Sequence, residues 1–158
     1  MGAKRSTETM AASAILLDTN VLVSATTPAR SLHKPALRAL NDWPNDGIGI
    51  CTSGQVLREY LVVATRGFEI NGLGLSIADA LANRDMLEAR MRFLEETHAV
   101  AVRLRQLVQS AACTGKQVHD ANVVATALGH GVERILTENT DDFARFGDLV
   151  EIVALGVV

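Results

Sequence analysis

A chain of 158 residues, 48% hydrophobic and 21% charged, holds one domain with a real core and too little material for two. A net charge of −3 excludes a bulk electrostatic binder of nucleic acid, so any such contact needs a local basic patch. Aromatics are only 4%, which makes the expected core aliphatic, and Cys51 and Cys113 form neither a disulfide framework nor a C-x-x-C metal site.

Residues 1–13 are basic and then polar, and are expected to form a flexible tail. They lack the continuous apolar centre of a signal peptide. The start M-G-A-K-R-S fits a myristoylation pattern, taken as chance because nothing else points to a membrane anchor. No apolar run approaches the ~20 residues that span a bilayer. With two cysteines that read as reduced and buried, the expected compartment is the cytoplasm.

"AILL" at 14–17 predicts a short buried strand, followed by Asp18, Thr19 and Asn20 and a resumed apolar run. Leu32, Ala36, Leu37 and Leu40 recur at helical spacing. "PNDG" is a turn, residues 48–53 a second strand, and Ser53 a plausible cap for the helix "GQVLREYLVVATR". That helix is apolar almost all round, which predicts deep packing. "GFEINGLGLS" is a loop with three glycines. Ser76 caps "IADALANRDMLEARM", "RFLEE" is a short extended piece, and Thr97 caps "HAVAVRLRQLVQSAAC". "TGKQ" turns into the helix "VHDANVVATALGHG", ended at Gly129 or Gly131. "ERILT" is a strand, "TDDFARFG" a helical turn and "LVEIVAL" a last strand. Strands alternating with helices mean an α/β domain with a mainly parallel central sheet covered by helices on both faces.

In such sheets ligands bind outside the carboxyl ends of the strands. Asp18 ends the first strand and Thr137 ends "RILT", so acids are delivered to one edge. Asp18 is either a turn-forming cap or a ligand, and its own segment does not decide. Glu59 lies on an apolar helix and must reach solvent, a cation or a metal, because a buried unpaired carboxylate is costly. Asp120 falls in the first turn of a helix, where the dipole alone favours an acid. "LTENTDDF" adds Glu138, Asn139, Asp141 and Asp142, part of it a solvated loop. Gathered on one edge, these acids repel one another, and a hard divalent cation such as Mg²⁺ or Mn²⁺ resolves the repulsion. No phosphate-binding glycine motif and no nucleophile elbow is present.

"LLDTNVLV", "SGQVLREYL", "GKQVHDANVVATALGHGVERILTENTDDF" and "VEIV" together resemble the PIN-domain family, and within it the VapC-type toxins of toxin–antitoxin pairs. The likeness runs from about residue 14 to the end. D-T-N alone is a weak signal, and the long run from His119 to Phe143 is specific. The resemblance implies a single PIN-like domain at 14–158 and a Mg²⁺- or Mn²⁺-dependent endoribonuclease leaving 5′-phosphate and 3′-hydroxyl ends. It matches the family's acids to Asp18, Glu59 and Asp120, with Asp18 and Asp120 as metal ligands and Asn20 and Thr137 in support. The fourth position is shared between Asn139 and Asp142, with Asp141 an extra acid beside them. The resemblance also implies a homodimer and a cognate antitoxin.

RNA near so many acids needs cations, and Arg30, His33, Lys34, Arg38, Arg66, Lys116 and His119 are the candidates for phosphate contact. A scaffold of the same fold that only binds RNA or protein is the alternative function. A phosphoacceptor receiver domain needs an acid beside Asp18 and a late-strand Lys, where Thr19 and Thr137 stand. A dehalogenase-type phosphatase needs an acid two residues after Asp18, where Asn20 stands.

Overall fold

The computed structural model describes residues 13–157, so the expected tail lies outside the described residues but for Ser13. Five strands, β1 (Ile15–Leu17), β2 (Ile50–Ser53), β3 (Arg92–Leu94), β4 (Arg134–Thr137) and β5 (Glu151–Ala154), form one sheet in the order β3-β2-β1-β4-β5. Every pairing is parallel. Their helical partners are α1 (Thr19–Ala25), α2 (His33–Asn41), α3 (Gly54–Thr65), α4 (Ile77–Arg90), α5 (His98–Ser110), α6 (Gln117–Gly129) and the single turn α7 (Thr140–Phe143). Among the described residues no helix is long and apolar enough to cross a membrane.

Strand alternation divides the core in two. Ile15 and Leu17 point to one face, packed with Val21, Leu22, Leu40, Leu57, Tyr60 and Leu87 from α1 to α4. Leu16, Cys51 and Ile135 point to the other, packed with Val100, Leu107, Val124, Phe143 and Phe146. Burial on both faces explains why the central β1 is an apolar run without polar alternation. Both cysteines are free and buried.

The expected caps are present. Ser53 Oγ accepts from Val56 N, Ser76 Oγ from Asp79 N and Thr97 Oγ1 from Val100 N, which fixes the starts of α3, α4 and α5. Helix α6 runs to Gly129, and Gly131 takes the left-handed φ of 71° that lets the chain turn into β4.

Several boundaries differ from expectation. The run after Asp18 is a helix, capped by the Asp18 carboxylate, which accepts from Thr19 N. Six of its seven residues are buried, so it has no polar face and no amphipathic period. Strand β2 starts at Ile50 rather than at residue 48; Gly49 O accepts from Ile15 N, and pairing begins one residue later. In "RFLEE" the strand ends at Leu94, because Glu96 leaves the sheet and accepts from Gln55 N with its side chain. The glycine loop contains a 3-10 turn, Phe68–Ile70. The uniformly apolar α3 is not buried on all sides: Val62 is 54% exposed.

Helices α5 and α6 meet where Gly129 approaches Val100. A Cβ on Gly129 would sit 2.8 Å from Val100 Cγ2, and Val100 is buried and β-branched, so it has little room to yield. Gly129→Ala is therefore expected to destabilise the fold by about 1–3 kcal/mol. Because the clash is with one methyl, Val100→Ala should relieve part of it. The double variant should be less destabilised in urea titration than the two single losses added together.

Candidate functional site

The order β3-β2-β1-β4-β5 makes the chain reverse its direction of sheet growth between β1 and β4. At such a switch point the connections diverge and leave a crevice outside the carboxyl ends. Asp18 follows β1 directly and Thr137 is the last residue of β4, so both stand at this crevice. A polar cleft of about 330 Å³ lies here, lined by Asp18, Thr19, Asn20, Val23, Arg30, Glu59, Val63, Arg66, Asn71, Asp120, Asn139 and Asp142. A larger depression of about 430 Å³ near Gly49 and Ile50 has no acidic residue in its lining.

Asp18 is held by three donors. Oδ1 accepts from Thr19 N (2.8 Å), and Oδ2 accepts from Thr137 Oγ1 (2.8 Å) and Asn20 Nδ2 (3.2 Å). Of the two readings left open for Asp18, the structure shows the cap: one oxygen caps α1, and the other faces β4. Asn20 ties the same loops together, its Oδ1 accepting from Glu138 N (3.1 Å). Thr137 Oγ1 accepts in turn from Asn139 N (3.0 Å), which sets the start of the acidic loop.

Glu59 reaches this cleft from α3, held by Thr19 Oγ1 on Oε2 (3.0 Å) and by Gln55 Nε2 on Oε1 (3.0 Å). Gln55 is fully buried and uses its whole amide. Nε2 also donates to His119 O (2.9 Å), and Oε1 accepts from Asn122 Nδ2 (2.7 Å), which joins α3 to α6. Sequence reasoning passed over Gln55, Thr19 and Asn122. The i,i+4 spacing of Gln55 and Glu59 was the available signal, since it places both on one helix face.

Asp120 enters from the first turn of α6. Among the described residues nothing donates a hydrogen bond to its carboxylate, so it does not act as a cap. Asn139 and Asp142 line the cleft, whereas the exposed Asp141 does not. Of the candidate cations, Arg30 and Arg66 line it. Lys34, Arg38, Lys116 and His119 are exposed outside the lining, and His33 Nδ1 lies 2.8 Å from Ser24 O. Arg30 is engaged by Glu138 (3.2 Å) and by Ser24 Oγ (3.0 Å), and Ser24 Oγ itself donates to Glu138.

Burial pushes the Asp18 carboxyl up to about 6, against the hydrogen bonds from Thr137 and Thr19, with Glu59 and Asp142 adding repulsion. Asp120 is also raised to about 6, by burial first and then by Asp142, Asp18 and Glu59; His119 works the other way. The carboxylates thus sense one another across the cleft. Between the ordinary carboxylate value of about 4 and about 6, the folded state holds protons that the unfolded chain has released. These two groups therefore make stability fall as pH rises through that window. In chelator, the melting temperature of the wild type should drop relative to that of Asp18→Asn as pH goes from 4 to 6.5, because the variant lacks this titration. A constant gap across the window, read by thermal melts, would contradict the burial of the charge.

The fold is similar to several solved structures. They include a toxin–antitoxin complex from Klebsiella pneumoniae, 24% identical, with a TM-score of 0.62 over 89% of this chain and 97% of that one. DNA-bound VapBC from Salmonella typhimurium is 18% identical, with a TM-score of 0.64 over 89% and 97%. VapC20 of Mycobacterium tuberculosis, a sarcin–ricin loop cleaving toxin, is 19% identical, with a TM-score of 0.57 over 77% and 86%. At these identities the likeness establishes the fold. A sequence comparison with curated proteins gives no significant match. The family model described as the PIN domain matches residues 15–149, a span that includes every residue lining the acidic cleft. This chain belongs to the PIN-domain family.

Proposed function

We propose that this protein is a divalent-metal-dependent endoribonuclease of the cytoplasm, the toxin of a VapBC-type toxin–antitoxin pair. One observation carries the reading: Asp18, Glu59, Asp120, Asn139 and Asp142, from four separate segments, line a single polar cleft at the switch point of the sheet. The similar folds include a toxin described as cleaving the sarcin–ricin loop, which supports RNA as the substrate class.

The donor set fits Mg²⁺ or Mn²⁺. The cleft offers carboxylate and amide oxygens, and none of its lining residues is Cys or His. Among the described residues no three Asp, Glu, His or Cys side chains converge tightly enough to hold an ion by themselves. Mg²⁺ keeps several waters and takes one or two carboxylates together with substrate phosphate, so Asp18 and Asp120 would be enough protein donors. Asp18 and Asp120 are the proposed ligands, with Glu59, Asn139 and Asp142 completing the surroundings. When bound, the ion supplies neutralisation of phosphate charge and a lowered pKa for water. The chain's own part is to hold the acids in place. Thr137, Asn20 and Thr19 N fix Asp18, while Thr19 Oγ1 and Gln55 fix Glu59, so these carboxylates need no reorganisation when substrate arrives. Asn139 contributes a neutral amide where another acid would add repulsion.

Asp18→Ala, Glu59→Ala and Asp120→Ala should each lower RNA cleavage at least about a hundredfold, on the scale of losing a preorganised electrostatic group. Circular dichroism should remain that of the folded wild type. Asn139→Ala and Asp142→Ala assign the fourth position by which costs more. Calorimetric titration with Mn²⁺ should show weaker binding to Asp18→Asn. Equal affinity, or cleavage that survives in the alanine variants, would overturn this assignment of the site; no cleavage by the wild type would leave a binding module in place of an enzyme.

For partners, we propose a homodimer and an antitoxin. Ile77 is 72% and Leu81 44% exposed on α4, and Val62 is 54% exposed on α3, against which α4 packs, more apolar surface than the sheet needs covered. An antitoxin helix would lie beside Leu32–Leu40, with an Arg directed at Asp18, Glu59 and Asp120. Sedimentation at micromolar concentration should give a dimer, and Ile77→Lys should shift it towards monomer. A monomeric wild type would remove the dimer from the proposal.

A further inference from the structure

The loop after α3 is built to a degree that a plain connection does not require. Four backbone hydrogen bonds fold it onto itself and onto α3: Gly72 N to Gly67 O (2.9 Å), Gly74 N to Arg66 O (2.8 Å), Leu73 N to Val63 O (2.9 Å) and Leu75 N to Ala64 O (2.9 Å). Gly72 is required by close approach, since a Cβ there would lie 1.9 Å from Arg66 O. Asn71 and Gly74 both take left-handed conformations, with φ of 62° and 59°.

This scaffold holds two side chains whose chemistry is only partly used within the protein. Arg66 lines the acidic cleft, yet among the described residues it forms no ion pair. One of its Nη atoms donates to Asn71 O (3.2 Å), and its Nε is buried without an acceptor. Phe68 is 77% exposed, in contrast to Tyr60, Phe143 and Phe146, which are all buried. Its ring rests over Gly74, where a Cβ would come within 2.8 Å, so one side is seated on backbone while most of the ring stays open.

We propose that residues 66–74 form a binding arm for single-stranded RNA, in which Arg66 takes a phosphate beside the cleft and the open ring of Phe68 stacks on a neighbouring base. The assignment rests on the ribonuclease reading of the cleft and specifies how the strand is held there. A cation paired with an aromatic platform is the chemistry that binds single strands without sequence readout. A rigid loop suits it, because an aromatic fixed in place before binding loses little entropy on contact. Arg30, the other arginine of the cleft, is already engaged by Glu138.

The test uses the full chain carrying Asp120→Asn, to silence cleavage, and fluorescence anisotropy with a labelled single-stranded RNA of mixed sequence. Phe68→Ala should weaken binding about tenfold. It should leave the salt dependence unchanged, and Phe68→Trp should restore affinity. Against an abasic oligonucleotide, Phe68→Ala should have no effect. Arg66→Ala should weaken binding and reduce the slope of log K against log salt by about 0.7, the amount expected for one phosphate contact on a single strand. Arg66→Lys should recover the slope. Unchanged affinity in both variants overturns the arm, and so does a Phe68→Ala effect confined to sedimentation, which would make the ring a protein contact. Cleavage that survives Asp18→Ala in an otherwise wild-type chain overturns the reading of the cleft as the place of cleavage and leaves these binding results standing. Absence of RNA binding by the full chain overturns both.

Discussion

The hydrogen bond from Thr137 to Asp18 crosses the point where the sheet reverses its growth, and the site depends on it. Asp18 has to stand half-buried in the crevice between β1 and β4, where desolvation works against its charged form. Three donors make the position tolerable, two of them from the D-T-N segment itself. The third, Thr137, belongs to a strand 119 residues away in sequence, so the site exists only once β1 and β4 have paired. Asn20 and Asn139 then join the same knot through Glu138 N and Thr137 Oγ1, and the acidic loop inherits its position from the sheet.

A second set of contacts brings in the helices. Thr19, the residue after Asp18, donates to Glu59, so the first two acids are coupled through one threonine. Gln55 then couples Glu59 to α6 through His119 O and Asn122. Asp120 lies on α6 between these two attachment points, so its place is fixed by its neighbours even though its own carboxylate accepts no hydrogen bond. This is how a fold can hold acids together against their repulsion: the backbone and neutral amides carry the positional constraint, and the carboxylates remain available. The cost appears as the raised values of Asp18 and Asp120.

Much of this was legible in the sequence because strand ends and helix starts are local signals. Asp18 ends an apolar run, and Asp120 opens a helix whose apolar positions reach both faces. Ser53, Ser76 and Thr97 announce their helices by capping chemistry. Helix α1 was not legible, since a segment buried on nearly every side has lost the periodicity that identifies a helix. The cations were the least legible group. Lys34 and Arg38 share a helix near the motif, but α2 turns them outward, and long side chains on exposed faces carry no signal of direction. Gln55 illustrates the middle case: its spacing to Glu59 is visible, but its bond to Asn122 depends on where α6 docks.

Charge placement around the cleft follows from the same constraint. Arg30 lines the cleft, and an arginine free to reach Asp18 or Asp120 would form a bidentate pair and occupy the oxygens that a divalent ion needs. Glu138 prevents this. It takes Arg30 with one oxygen and accepts from the buried Ser24 hydroxyl with the other, and its own backbone N–H is held by Asn20. Glu138 therefore stands apart from the four acids of the cleft as the carboxylate that keeps a nearby cation off them. Arg66 is restrained differently, by a backbone carbonyl that carries no net charge, which leaves its guanidinium charge uncompensated. One arginine at the rim is neutralised and the other is not, and the difference is set by which acid, if any, the fold presents to each.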